Sequence, residues 1–272
     1  MRLAPLLTIL TSLAAATLFG PQLAAAAPAQ RLSVVQERSW HGIRLLALKP
    51  ERGVRFDVSI LPPAQGLDRI AEALDQIARK SPASAAAIDR LKAAGRVSLV
   101  YFPNDFRDRN RPGAQTIALF LPEFLKQHGL GTDGLEFAVV INQFGVKWPA
   151  RELAAIIVHE LAGHGLQHLE GRIKTSRVLD LECEASLYQE RAYQDLGLPK
   201  RSHAIVLFRR QMEDRYCADF RAFLRRRMPD KLALWDVLNP NVPELLALFR
   251  DYRATLTAGK GSAAGPLSAR SQ

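Results

Sequence analysis

W-P-A-R-E-L-A-A-I-I-V-H-E-L-A-G-H-G-L-Q-H-L-E-G, residues Trp148 to Gly171, places three of the chain's six histidines and a glutamate within ten residues. The stretch reads as one helix. Pro149 suits a first helical position, Glu152 falls in the first turn, an apolar run follows from Leu153 to Val158, and Gly171 can stop it. The apolar run predicts burial, and a buried helix has little use for His159, Glu160, His164 and His168 unless each has a partner, because unpaired polar groups are costly to bury. A metal ion would be such a partner.

His159-Glu160-Leu161-Ala162-Gly163-His164 differs from the H-E-x-x-H zinc motif by one inserted residue. In a regular helix positions i and i+5 point roughly 140° apart, so the two imidazoles could not share an ion. A single widened π-type turn absorbs one residue and restores their approach. Gly163 and Gly165, on either side of His164, ease that distortion.

H-E-L-A-G-H resembles the H-E-L-L-G-H zinc motif of the dipeptidyl peptidase III family, which also carries the extra residue. That family's downstream element, E-E-C-R-A-E, is similar to Leu181-Glu182-Cys183-Glu184-Ala185-Ser186, with Glu182, Cys183 and Ala185 matching. The same stretch resembles the E-x-x-A-D element of membrane-associated zinc peptidases, with Ser186 in place of the aspartate. Both resemblances imply that Glu182 is the third ligand beside His159 and His164, that the ion is Zn2+, and that Glu160 is the general base. They imply a zincin of the gluzincin type, in which an edge strand lies along the active-site helix and receives an extended peptide by strand addition.

Competing sets remain open on the residues alone. His164 and His168 stand at i, i+4 and need no bulge. Glu160 shares their side, but its i+8 separation from His168 is about 12 Å of helix rise, too far for one ion with bonds of about 2 Å. Glu184 rivals Glu182, and a histidine-rich helix end without metal is the plainest alternative. Tyr188, Tyr193 and His203 are candidates for stabilising an oxyanion.

Met1 to Ala29 has Arg2, an apolar segment and then small residues, which reads as a secretory signal peptide cut after Ala26 or Ala29. Its apolar run is short and interrupted, so the mature protein is expected in the periplasm or outside the cell and not as an integral membrane protein. Two cysteines, Cys183 and Cys217, are too few for a disulfide scaffold; pairing and separate burial are both open. The net charge is +10, and ten basic residues face four acidic ones between Lys200 and Lys231. Attraction to an anionic envelope surface follows, whereas no nucleic-acid-binding motif is present and no nucleic-acid partner is expected. A solvated helix face is the simpler reading of the run.

Alternation in Leu32 to Val35, Ile43 to Leu48 and Val54 to Ile60 predicts an antiparallel ribbon. Leu67 to Arg79 and Ser84 to Ala94 show helical spacing, and Val97 to Phe102, Thr116 to Leu121 and Phe137 to Phe144 read as strands. Either of the last two could be the edge strand. Pro103 to Gly113 forms a polar loop. Ser176 to Leu196 is a helix bearing Glu182; Ile205 to Phe223 is one amphipathic helix and Val242 to Leu256 another. The fold class is therefore α+β and zincin-like: an N-terminal sheet with helices, a central metal-binding helix and a helical C-terminal part. One domain, residues 30–256 with lobes of about 30–170 and 171–256, precedes a disordered tail at 257–272. The function expected is that of a zinc metallopeptidase acting on a peptide or protein substrate; the rivals are a non-catalytic zinc-binding protein and a basic envelope-surface protein with a structural zinc.

Overall fold

The computed structural model describes residues 32–50, 59–104, 116–236 and 238–262. The signal-peptide reading, most of residues 54–60, most of the polar loop at 103–113 and the last ten residues lie outside them.

Sheet and helices alternate first. Strand β1 (Val34–Trp40) and strand β2 (Ile43–Leu48) pair antiparallel through His41 and Gly42, both at positive φ (44° and 82°) as a two-residue hairpin requires. Helices α1 (Pro63–Lys80) and α2 (Pro82–Ala94) follow, then β3 (Arg96–Tyr101), β4 (Ala118–Phe120), the short α3 (Phe124–Gln127) and β5 (Glu136–Ile141). The strand order is β1-β2-β3-β5-β4, with β2, β3 and β5 parallel and β4 antiparallel to β5. Among the described residues this settles the edge: β5 is interior and β4 is the rim.

Burial follows from position. Interior β5 is buried at every residue and reads as a nearly unbroken apolar run, whereas rim strand β1 alternates half-buried and exposed. One sheet face packs Val97, Leu99, Tyr101, Phe137, Val139 and Ile141 against the helices. The other carries a smaller cluster of Leu46, Leu48, Val100, Ala138 and Val140, joined by Leu125 of α3. The alternation is the two-residue period of a strand.

The histidine helix enters the larger core. Helix α4 (Ala150–Val158) begins one residue after the expected Pro149, continues as a π-helical turn at His159–Gly165 and ends as α5 (Leu166–Leu169). Leu153 to Val158 are buried on all sides because α1 packs against α4 from one side and helix α6 (Val178–Asp195) from another. Gly171 at φ 68° then stops the chain, with Arg172 N–H donating to Gln167 O at 2.8 Å.

The C-terminal part differs from expectation in two respects. The single helix predicted from Ile205 to Phe223 is two, α7 (His203–Gln211) and α8 (Ala218–Arg227), joined by a second π-turn at Met212–Tyr216. The break falls at Cys217, which is bonded to Cys183 of α6. Its apolar spacing is helical throughout, so periodicity alone could not reveal the interruption. Helix α9 (Val242–Ser262) closes the fold and extends into the segment expected to be a disordered tail. The larger core runs without a break from Ile43 to Tyr252, across the boundary near residue 170 between the two expected lobes. Among the described residues no helix is long and apolar enough to cross a membrane.

Candidate metal centre

The π-turn solves the spacing problem. His159 and His164 lie five residues apart, yet their ring centroids are 5.0 Å from one another. Helix α6 brings Glu182 to both: Oε1 is 3.2 Å from His164 Nε2 and Oε2 is 3.7 Å from His159 Nε2. One ligating atom from each of the three lies within 4.8 Å of the others, and all three residues are buried. They form a group that could hold a metal ion.

Two helices approach this closely because the contact is made by small residues. A Cβ on Gly163 would stand 2.5 Å from Ala185 Cβ and 2.7 Å from its Cα, so the π-turn and α6 touch backbone to backbone there. Ala185 lies one turn beyond Glu182, which directs that carboxylate at the two imidazoles. Ala185 and the neighbouring Ser186 are both fully buried.

The outer ring nitrogens set the tautomers. His164 Nδ1 lies 2.9 Å from Gln167 Oε1, while Gln167 Nε2 donates to Leu181 O at 2.8 Å and to Glu184 Oε2 at 3.1 Å. With its amide hydrogens used elsewhere, Gln167 must accept from His164, which puts the proton on Nδ1 and leaves Nε2 directed at the group. Gln189 adjoins His159 in the same sense and favours its charged form. Its Nε2 donates to Tyr193 Oη at 2.6 Å. The approach is looser: neither His159 Nδ1 nor Gln189 Oε1 has a directed hydrogen bond among the described residues. Neither glutamine was singled out in the sequence, although Gln167 lies one turn from His164 and Gln189 two turns from Glu182.

The charges are unequal. Burial pushes His159 down to about 4, only partly opposed by Glu182. Burial acts on His164 in the same direction, but contact with Glu182 and the charge of Glu160 outweigh it and push that imidazole up to about 9. Glu182 resists the upward effect of its own burial and is lowered by the two histidines. Its Oε1 nevertheless lacks a directed hydrogen bond among the described residues. Two imidazole nitrogens and a carboxylate oxygen converge here, with the His164 ring held from behind by Gln167, and a donor set of this kind is compatible with a divalent cation.

Glu160 stays outside the three. Burial raises its carboxyl to about 7, and a hydrogen bond from the Phe120 backbone on the rim strand opposes this. That amide is free of the sheet ladder: neighbouring Leu121 N–H donates inward to Ala138 O at 2.8 Å, so Phe120 N–H faces outward. Glu160 is therefore tied to the open edge of β4.

The rival ligands are placed elsewhere. His168 packs its ring against Phe120 and Phe137, at 5.7 and 5.8 Å between centroids. Glu184 accepts from Arg172 Nη1 at 2.6 Å and Nη2 at 3.1 Å, and from Arg253 at 3.4 Å. It serves the group only through Gln167. Of the oxyanion candidates, Tyr193 is buried behind Gln189, Tyr188 lies in the electrostatic field of Glu184, Glu170 and Arg172, and His203 opens α7 at an exposed position. None belongs to the group of three.

No family model, no curated protein and no solved structure matches this chain.

Proposed function

We propose that the protein is a zinc-dependent peptidase in which His159, His164 and Glu182 hold the ion and Glu160 is the general base. The observation that carries the reading is the convergence of both histidines, five residues apart, with Glu182 through a buried π-turn. Zinc is favoured over other divalent ions by the donor set of two imidazoles and one carboxylate. When bound, it would contribute Lewis acidity toward a carbonyl oxygen and toward water.

The chain's own residues supply the remaining chemistry. Glu160, buried beside the three, would take a proton from an attacking water and pass it to the leaving amine. The sheet order supports the zincin-like reading, because β4 is an antiparallel rim strand whose outward Phe120 N–H faces Glu160. An extended peptide pairing with that edge would run past the general base. Secretion or a periplasmic location is part of the proposal: it rests on the Met1 to Ala29 reading and is supported by the Cys183–Cys217 disulfide, which suits an oxidising compartment. The anionic envelope surface suggested by the basic run is a secondary proposal, supported by exposed Arg225, Arg226 and Arg227 at the end of α8.

A second reading, a closed structural zinc, is favoured by the low exposure of His159, Glu160, His164 and Glu182, at 2%, 5%, 6% and 2%. Glu160→Gln separates the two. In a peptidase it should keep zinc content and thermal stability near wild type while hydrolysis of a peptide-library substrate falls roughly 10²-fold or more. Loss of metal in that variant would make Glu160 a ligand, and absence of hydrolysis in zinc-loaded wild type across the library would leave the structural site as the reading.

A further inference from the structure

Behind His164 stands a buried ionic cluster that the chemistry above does not use. Glu184 of α6 accepts from Arg172 Nη1 at 2.6 Å and Nη2 at 3.1 Å, and from Arg253 of α9 at 3.4 Å. Its Oε2 also accepts from Gln167 Nε2 at 3.1 Å, and that amide nitrogen donates again to Leu181 O at 2.8 Å. Gln167 has no exposed surface, so neither bond can be handed to bulk water.

These contacts fix the sense of an amide whose two ends are nearly the same size. Turned over, Gln167 would set its oxygen against the Leu181 carbonyl and the Glu184 carboxylate, and its NH2 against His164 Nδ1. Buried acceptors facing one another lose their hydrogen bonds, and an ionised acceptor makes the lost bond a stronger one. The charge of Glu184 therefore favours the sense that presents Gln167 Oε1 to the His164 Nδ1 proton. Glu184 is itself placed by the end of the histidine helix. Gly171, at φ 68°, turns the chain back so that Arg172 N–H donates to Gln167 O at 2.8 Å while its guanidinium spans the Glu184 carboxylate. Arg172 thus grips Gln167 twice, through its backbone and through Glu184.

We propose that Glu184 is a positioning residue of the metal centre: held by Arg172 and Arg253, it fixes the amide of Gln167, which keeps the His164 proton on Nδ1 and leaves Nε2 for the ion. The inference rests on the metal-binding part of the reading above and not on hydrolysis. It extends the control of one imidazole to the loop that ends the histidine helix and to the C-terminal helix α9, neither of which contributes an atom to the group of three.

The test is a double-mutant cycle on zinc affinity, read by chelator competition at fixed pH on the full chain. Removing the Glu184 carboxylate alone would leave Arg172 buried without its counter-charge, so Arg172→Met accompanies Glu184→Leu and keeps the chain folded. That pair of changes should weaken zinc binding about tenfold. In a Gln167→Ala background the same pair should matter by less than about twofold, because the residue it acts through is gone. Glu184→Gln, which keeps an oxygen for the Gln167 amide, should retain affinity to within about threefold. Nitrogen-15 NMR of the zinc-loaded wild type should show the His164 proton on Nδ1, exchanging with solvent more slowly than in the Arg172→Met, Glu184→Leu chain. Equal losses in both backgrounds, no loss in either, a Glu184→Gln as weak as the paired variant, or unaltered exchange of the Nδ1 proton would each overturn the positioning role. Tight zinc binding by the wild type would in those cases leave the metal centre standing. A wild type that takes up no zinc would overturn both.

Discussion

The two π-turns use the same backbone device to opposite ends. His159–Gly165 is buried at all seven residues and rotates two histidines onto one point, whereas Met212–Tyr216 buries its first and last residues and presents Glu213, Asp214 and Arg215 toward its outer side. One extra residue per turn redirects side chains without breaking the helix. In the core those side chains must satisfy one another or an ion; near the surface water can serve the charges. The two turns are not independent, because the first packs against α6 at Ala185 and Cys217, which directly follows the second, is bonded to α6 at Cys183.

The largest effect expected from breaking this arrangement is on metal affinity. His159→Ala and His164→Ala should each lower zinc affinity on the order of a thousandfold, since each removes a directly bonded atom from a three-residue site. His168→Ala should change it little, and chelator competition at fixed pH reads all three. The reverse order would hand the site to the i, i+4 pair. In the metal-free wild type His164 is raised to about 9, so below that pH an ion must displace a proton; affinity should increase with rising pH, with proton release detectable as buffer-dependent heat.

Next comes the link from α6 to the second turn. Cys183→Ala together with Cys217→Ala opens a cross-link between residues 34 apart, and chain entropy puts the loss at about 3–4 kcal/mol of stability. Chemical denaturation would measure it, and an unchanged midpoint would show the bond to be incidental. Gly163→Ala tests the other contact. Its added Cβ meets Ala185 at 2.5 Å, so the helices must separate, at roughly 1–3 kcal/mol and with weaker zinc binding. Gly163→Ala with wild-type stability and metal content would mean that the close approach is not needed.

The smallest effect is sought behind the rings. Gln167→Ala and Gln189→Ala leave all three proposed ligands in place but free their rings to turn, and should weaken zinc binding by about 10–100-fold. Gln167→Ala is expected to be the more severe, because its contact to His164 is direct at 2.9 Å while Gln189 holds His159 more loosely. Equal and negligible losses would show that packing alone orients the imidazoles.

Much of the site was legible in the chain because its decisive feature is local. A helix has fixed angular arithmetic, so His159 and His164 five residues apart require a bulge if they are to meet, and the bulge is there. The described strands and the first helices were legible for the same reason, since periodicities of 2 and 3.6 are properties of short segments. Glu182 came from motif resemblance; spacing alone left Glu184 in contention. What separates them is Arg172, which engages Glu184 from the loop ahead of α6, and Ala185 against Gly163, which aims Glu182 inward. Tertiary structure alone also chose β4 as the rim, paired Cys183 with Cys217, divided the predicted amphipathic helix at that bond, and placed Gln167 and Gln189 behind the rings. Each of these depends on elements distant in sequence lying side by side, and no segment's own periodicity or composition specifies its neighbour.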